Sequence, residues 1–323
     1  MAQRPFPSFD ELPLDKSGPP GNAWGLWGPD NELGMLNLLT PEVVAHAATE
    51  IKEGLRISLD WPLDKPSFPT FGRQQFEHKI LNKAPMVMND DAININTQSS
   101  TQWDGFRHYG YQRTKQFYKG HKQEEFGDTS GPLGIDSYAN NGGIIGRGVL
   151  IDWYSWAQEN NIHRSAFQTN AILLSEIQAI VKEKSIKILP GDILFIRVGF
   201  TAQYNALSIQ DQQTFPDRQP GGLLGLEANR DSMRWLWESR FAAIASDAMG
   251  FERGPATGPY NDPDLSVHQW ALAGWGMPIG EMFDLEVLAE KCAERGRWTF
   301  FLCSVPLKIP GGVASPGNAV AIL

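Results

Sequence analysis

The stretch ILLSEIQAIVKEKSIKILPGDILFIRV, residues 172–198, passes from one structural period to another. Ile172, Ile177, Ile180 and Val181 recur at helical spacing, so the segment from 172 to 182 reads as a helix. Pro190-Gly191-Asp192 marks a turn, and Ile193-Leu194-Phe195-Ile196-Arg197-Val198 is a strongly β-prone run. A helix leading through a tight turn into an apolar strand is the unit from which α/β layers are built.

The same alternation of elements extends in both directions. Upstream, Gly148-Val149-Leu150-Ile151-Asp152 reads as a buried strand ending on an acid. Thr40-Pro41-Glu42 carries a helix start, with Thr as N-cap and Pro at the first helical position, predicting a helix from there to about Glu53 that stops at Gly54. Residues 56–61 alternate as a strand should, whereas 64–95 are broken by Pro, Asn and Asp. Downstream, 226–237 reads as a helix and 241–245 as a buried strand running into Ser246-Asp247. Asp284 caps a helix over 285–295 closed by Gly296, and 299–305 and 319–323 are the last strands. With no internal repeat and no long linker, the chain reads as an N-terminal arm over 1–35, rich in Pro and Gly, followed by a single α/β domain over 36–323. The arm either wraps its own domain or reaches a neighbouring subunit.

Composition narrows the function classes. The chain has 323 residues, 41% hydrophobic and 20% charged, with 11 Trp and 17 Phe, which supports a large core and excludes a disordered chain. A net charge of −9 with no Lys/Arg run argues against nucleic acid as partner. No stretch approaches 18 uninterrupted apolar residues, so no membrane span is expected. The first 21 residues lack the apolar centre of a signal peptide, and a cytoplasmic location is the default expectation. Cys292 and Cys303 form no CxxC pair and read as reduced core residues.

Chemistry concentrates in two polar segments. In Ser99-Ser100-Thr101-Gln102-Trp103-Asp104-Gly105-Phe106-Arg107-His108-Tyr109, an extended strand projects Gln102 and Asp104 from one face, and a turn at Gly105 brings His108 back towards them. An amide oxygen, a carboxylate and an imidazole can together bind a borderline or hard divalent cation; a polar strand end with a hydrogen-bonded Asp is the plainer alternative. In the second segment His268 is followed by Glu281, too far along for one helix turn, so their meeting depends on the fold. Trp103, Phe106, Tyr109 and Tyr111 either line a flat apolar pocket for a small-molecule substrate or belong to the core. The remaining histidines read as bland: His46 in the first helix, His163 in a turn, His78 and His121 among charges.

The chain also resembles the cyclase-like metal-dependent hydrolases, which include bacterial kynurenine formamidase and isatin hydrolase. The resemblance rests on Trp27-Gly28-Pro29-Asp30-Asn31-Glu32-Leu33-Gly34, on Leu38-Leu39-Thr40-Pro41, and on Gly146-Arg147-Gly148-Val149-Leu150-Ile151-Asp152. It continues through Gly191-Asp192-Ile193-Leu194-Phe195-Ile196-Arg197, Ala245-Ser246-Asp247, the His268 to Glu281 block, Pro306-Leu307-Lys308 and the closing Ser315-Pro316-Gly317-Asn318-Ala319-Val320-Ala321-Ile322-Leu323. It implies a swivelling β/α/β-type domain, a homodimer or homotetramer, and hydrolysis of a C–N or C–O bond in a small amide, lactone or cyclic imide-like compound by metal-activated water.

The family's metal motif is HxGTHxDxPxH. Thr101, Asp104 and His108 match it, but Gln98 and Gln102 stand where its two leading histidines would be, Ser100 at its Gly and Phe106 at its Pro. His268 and Glu281 match the later ligands. Amides in place of imidazoles weaken and harden such a site. Three arrangements stay open: one Mn2+ or Zn2+ on Asp104, His268 and Glu281 with Gln102 in support, a weakened two-metal site, or no metal. His108 is the expected general acid or base, a task Glu281 could share. A lyase, isomerase or cyclase acting on a natural-product intermediate, and a non-catalytic ligand-binding homologue, are the alternatives to a hydrolase.

Overall fold

The computed structural model describes residues 6–127, 131–219, 221–255, 262 and 264–323. Its strands are β1 (Arg56–Ser58), β2 (Glu77–Asn82), β3 (Asn89–Asn94), β4 (Gln102–Asp104), β5 (Ile144–Asp152), β6 (Asn170–Ile172), β7 (Ile193–Arg197), β8 (Leu224–Leu226), β9 (Ala243–Ser246), β10 (Ile279–Glu281), β11 (Thr299–Ser304), β12 (Ala314–Pro316) and β13 (Ala319–Ile322). Nine of them form one mixed sheet in the order β1-β13-β11-β5-β7-β9-β10-β4-β12. Its centre, β5-β7-β9-β10, is parallel. Antiparallel strands extend it on both sides.

The sequence explains this division. Parallel strands are covered on both faces and need unbroken apolar runs; β7 and β9 are buried at every position. Antiparallel β11 alternates half-buried with buried residues and so has one core face. The α/β expectation therefore holds. Arg147, on β5, donates from Nε and Nη2 to Asp192 at 2.8 and 2.7 Å, tying the turn before β7 to the neighbouring strand.

Several boundaries moved. The helix begins as expected, with Thr40 Oγ1 accepting from the Val43 amide, but spans Pro41–Ala47 and tightens to a 3-10 turn over Ala48–Glu50. Ile172 belongs to β6, and the following helix is Leu174–Glu183. Residues 224–226 form β8, parallel to β6, and the helix expected from 226 starts only at Arg230, where Asn229 caps it by accepting from the Ser232 amide. The unreadable 64–95 region contains the β2/β3 hairpin, almost wholly exposed, with Ile80, Met86, Val87 and Ile93 in solvent. A hairpin with no buried face has no alternation to read.

The described part of the N-terminal arm packs on its own domain. Trp24 Nε1 donates to Ala273 O at 2.7 Å, Trp275 Nε1 to Gly21 O at 2.9 Å and Trp237 Nε1 to Pro7 O at 2.9 Å. Gly34, at φ +52°, brings its backbone against Gly276, and a β-carbon there would lie 2.0 Å from Gly276 O. Only glycine permits that approach.

Candidate active site

The parallel strands end differently. Beyond β5 and β7, Arg197 donates to Asp152 at 2.9 Å and to Glu286 at 2.6 and 3.0 Å, filling the space with ion pairs. Asp247, just past β9, accepts from the amides of Val198, Gly199 and Phe200 at 2.6–2.8 Å. Beyond β9 and β10 the structure instead opens into a cavity of about 350 Å³, bordered by His108, Tyr109, Glu252, His268 and Glu281. A crevice outside the carboxyl ends of parallel strands is where ligands bind in such sheets.

Each functional side chain has a traceable position. β4 runs antiparallel to β10 with Gln102 opposite Glu281. Period two puts Gln102 and Asp104 on one face. Gln102 Nε2 lies 2.9 Å from Glu281 Oε2 and 3.2 Å from Asp104 Oδ1, so one amide bridges two carboxylates. Past Gly105 the chain turns, with the His108 amide donating to Gly105 O at 3.0 Å, and His108 Nε2 comes to 3.9 Å from Asp104 Oδ2. Gln98 Nε2 completes this side, 2.8 Å from Asp104 Oδ1 and 2.9 Å from His108 Nδ1.

His268 enters from the N-terminus of a π-helical segment, Gln269–Trp275. Its Nδ1 lies 2.7 Å from Glu252 Oε2 and its Nε2 3.1 Å from Glu281 Oε1. Met282, directly after Glu281, is held at φ +53° by hydrogen bonds to Ala248 O and from Thr101 Oγ1. A left-handed non-glycine residue is strained by about 1–3 kcal/mol; here the bonds on either side of Met282 fix where Glu281 points.

Burial pushes the Asp104 carboxyl up, and the nearby Glu281 charge adds to that, against the pull of His108, His268 and Arg73. For His268 burial acts downward, but Glu252 and Glu281 overcome it and hold the ring well above the usual histidine range. Burial likewise raises Glu252, and its charge and hydrogen-bond contacts with His268 reverse the sign, leaving it lowered.

The structure thus brings Gln102, Asp104, His108, His268 and Glu281 together. Of the four aromatics, only Tyr109 borders the cavity, its ring 5.5 Å from that of His268. The pocket role expected of Trp103, Phe106 and Tyr111 is corrected. Trp103 points to the opposite sheet face from its neighbours, against Phe195 and Phe283, with Nε1 donating to Ser304 Oγ at 2.9 Å. Phe106 is buried against Tyr118 and Tyr138, and Tyr111 is buried with its hydroxyl on Pro20 O. Sequence reasoning missed Glu252 and Arg73. An acid between Gly250 and Gly254 after a buried strand was the available signal for Glu252, but nothing local tied it to His268.

The donor set fits a divalent cation. Asp104, His108 and His268 each offer a ligand atom, and these lie within 4.8 Å of one another. One carboxylate and two imidazoles suit zinc, manganese or iron. Glu252 on Nδ1 leaves Nε2 of His268 facing the cluster, the arrangement that orients metal-binding histidines. Buried Gln102 Oε1 has no hydrogen-bond partner among the described residues, and an amide turned over would present it to a cation. Compared with the set expected from sequence, His108 joins Asp104 and His268, and Glu281 adjoins them through His268.

The comparisons agree with this architecture. A family model described as Cyclase matches residues 44–253. A solved structure of a novel cyclase superposes with a TM-score of 0.81 at 31% identity, covering 94% of this chain and 99% of that one. Isatin hydrolase A from Ralstonia solanacearum has a TM-score of 0.59 at 17% identity, covering 87% of this chain and 97% of its own. Isatin hydrolase A from Labrenzia aggregata gives 0.58 at 17%, with 88% and 98% covered. No curated protein sequence matches. The two isatin hydrolases share the fold expected from sequence. Given the family model and the 31%-identical structure along nearly its whole length, the chain belongs to the cyclase family.

Proposed function

We propose that this protein is a metal-dependent hydrolase that opens a C–N or C–O bond in a small amide, lactone or cyclic imide-like substrate. The observation that carries the reading is the convergence of Asp104, His108 and His268 within 4.8 Å at the base of the cavity. Asp104, His268 and either His108 or Glu281 would hold the ion, Mn2+ or Zn2+. When bound, such an ion polarises a carbonyl and lowers the pKa of a coordinated water.

The chain's own residues supply the rest. Glu252 fixes the ring of His268 by accepting a hydrogen bond from its Nδ1–H. Gln98 and Gln102 hold the Asp104 carboxylate by their amide nitrogens, which fixes its rotamer. His108, partly open to the cavity, moves a proton between substrate and solvent when it is not a ligand, and Glu281 takes that part otherwise. A cavity of about 350 Å³ admits a single-ring compound. The exposed hairpin 77–94 is the apolar surface we assign to a homodimer or homotetramer contact, which light scattering tests.

Elemental analysis of purified protein tests the metal, and Asp104→Ala should remove both metal and activity with the fold retained. Full activity in rigorously metal-free protein overturns the reading. The amides on Asp104 and Glu281 favour one second reading, a lyase, isomerase or cyclase that uses these groups for proton transfer alone. Product mass separates the two: a hydrolase adds one water, the others leave mass unchanged or lose water. Tight binding without turnover would identify a ligand-binding homologue.

A further inference from the structure

Arg73 belongs to the cavity wall but to none of the chemistry above. It lies in the turn Thr70-Phe71-Gly72-Arg73, where the Arg73 amide donates to Thr70 O at 3.2 Å and both Phe71 and Gly72 have positive φ, +59° and +66°. Thr70 is buried and its hydroxyl donates to Met249 Sδ at 3.4 Å, so the turn is pinned to the cavity wall. A left-handed phenylalanine is strained. Here the strain presents Phe71, 67% exposed, beside the guanidinium, whose carbon lies 5.2 Å from the ring centre.

The guanidinium is short of partners. Arg73 Nη1 donates to Gln98 O, and among the described residues no carboxylate pairs with it. A guanidinium has five N–H donors in a fork that matches a carboxylate bidentately. Of the negative charges deeper in the cavity, Glu252 and Glu281 both bond His268, which lies between them. Asp104, which feels the Arg73 charge, makes no ion pair with it and accepts from Gln98 and Gln102 instead. Tyr109, Leu223 and Met249 make the remaining wall largely apolar.

Resting on the site proposed above, we infer that the substrate carries an anionic group, a carboxylate, bound by Arg73, with a flat apolar body against Phe71 and Tyr109. The reacting carbonyl then lies towards Asp104 and His268, and the chemistry proceeds at the end of the molecule away from the anion. Arg73 is a specificity residue and touches no reacting atom.

Phenylacetate and its neutral isostere phenylacetamide test this by calorimetric titration into chelator-treated protein, where no ion can bind the carboxylate. Wild type is expected to bind phenylacetate about tenfold or more tighter than phenylacetamide, as a charge-assisted pair implies. Arg73→Met should lose that preference and bind phenylacetamide as before. Arg73→Lys should keep part of it, as a point charge without the fork. Equal binding of the two probes by wild type, or undiminished phenylacetate binding by Arg73→Met, overturns the inference. Circular dichroism of both variants checks that the fold is intact. Because the titration involves neither metal nor turnover, a failed hydrolase reading leaves its result standing, and a failed Arg73 assignment leaves metal content and turnover unaffected.

Discussion

Glu252→Gln isolates the part of the site that the sequence did not announce. The Glu252 carboxylate accepts three hydrogen bonds: Oε1 from Ser266 Oγ at 3.3 Å and from the His268 amide at 3.0 Å, and Oε2 from His268 Nδ1 at 2.7 Å. Glutamine has the same shape, and its single oxygen keeps the place of Oε1 so that the backbone amide stays bonded. Its Nε2 then faces His268 Nδ1. Two donors cannot share that contact, so Nδ1 becomes an acceptor and the ring proton moves to Nε2. A protonated Nε2 bonds Glu281 at 3.1 Å and has no lone pair left for a cation. Losing such an orienting carboxylate weakens metal binding about 10–100-fold, or about 1.4–2.7 kcal/mol. The stability loss should stay near 1–3 kcal/mol, since every buried polar atom keeps a partner. Zinc titration against a chromophoric chelator, with urea unfolding alongside, measures both, and His268→Ala sets the floor. Zinc affinity within twofold of wild type in folded Glu252→Gln would refute the reasoning.

Three further outcomes follow from other parts of the structure. Gln102→His places an imidazole where an amide bridges Asp104 and Glu281, and zinc affinity should rise about tenfold or more; calorimetry showing unchanged affinity counts against the metal site. Arg147→Met strips the buried Asp192 of its bidentate partner and should destabilise the fold by about 3–5 kcal/mol, read from urea unfolding, with a loss below about 1 kcal/mol contradicting it. Burial pushes the Cys292 thiol up to about 12. A raised thiol pKa means less thiolate, about one in ten thousand at pH 8. A thiol-reactive dye should therefore label at most the half-buried Cys303 in native protein at pH 8 and both cysteines after unfolding. Two labels in the native state would contradict that burial.

The sequence determined what period and local chemistry can carry. The apolar run at Ile193-Leu194-Phe195-Ile196 read as a strand, and Thr40-Pro41 as the start of a helix. Alternation alone put Gln102 and Asp104 on one face, and the ordered motifs pointed to the family. It could not say which face of β4 would meet the cavity, so Trp103, one residue between two site residues, was read towards the substrate when it belongs to the core. Nor could it foresee partners far apart along the chain: Gln102 meets Glu281 across 179 positions, and His268 meets Glu252 across 16 at no helical or strand spacing. Arg73 was hidden for a different reason, a strained turn in a segment without periodicity. Hydrogen bonds and ion pairs act over about 3–4 Å. Which groups come that close is decided by how β4, β9 and β10 lie side by side in the sheet, and only the tertiary structure sets that order.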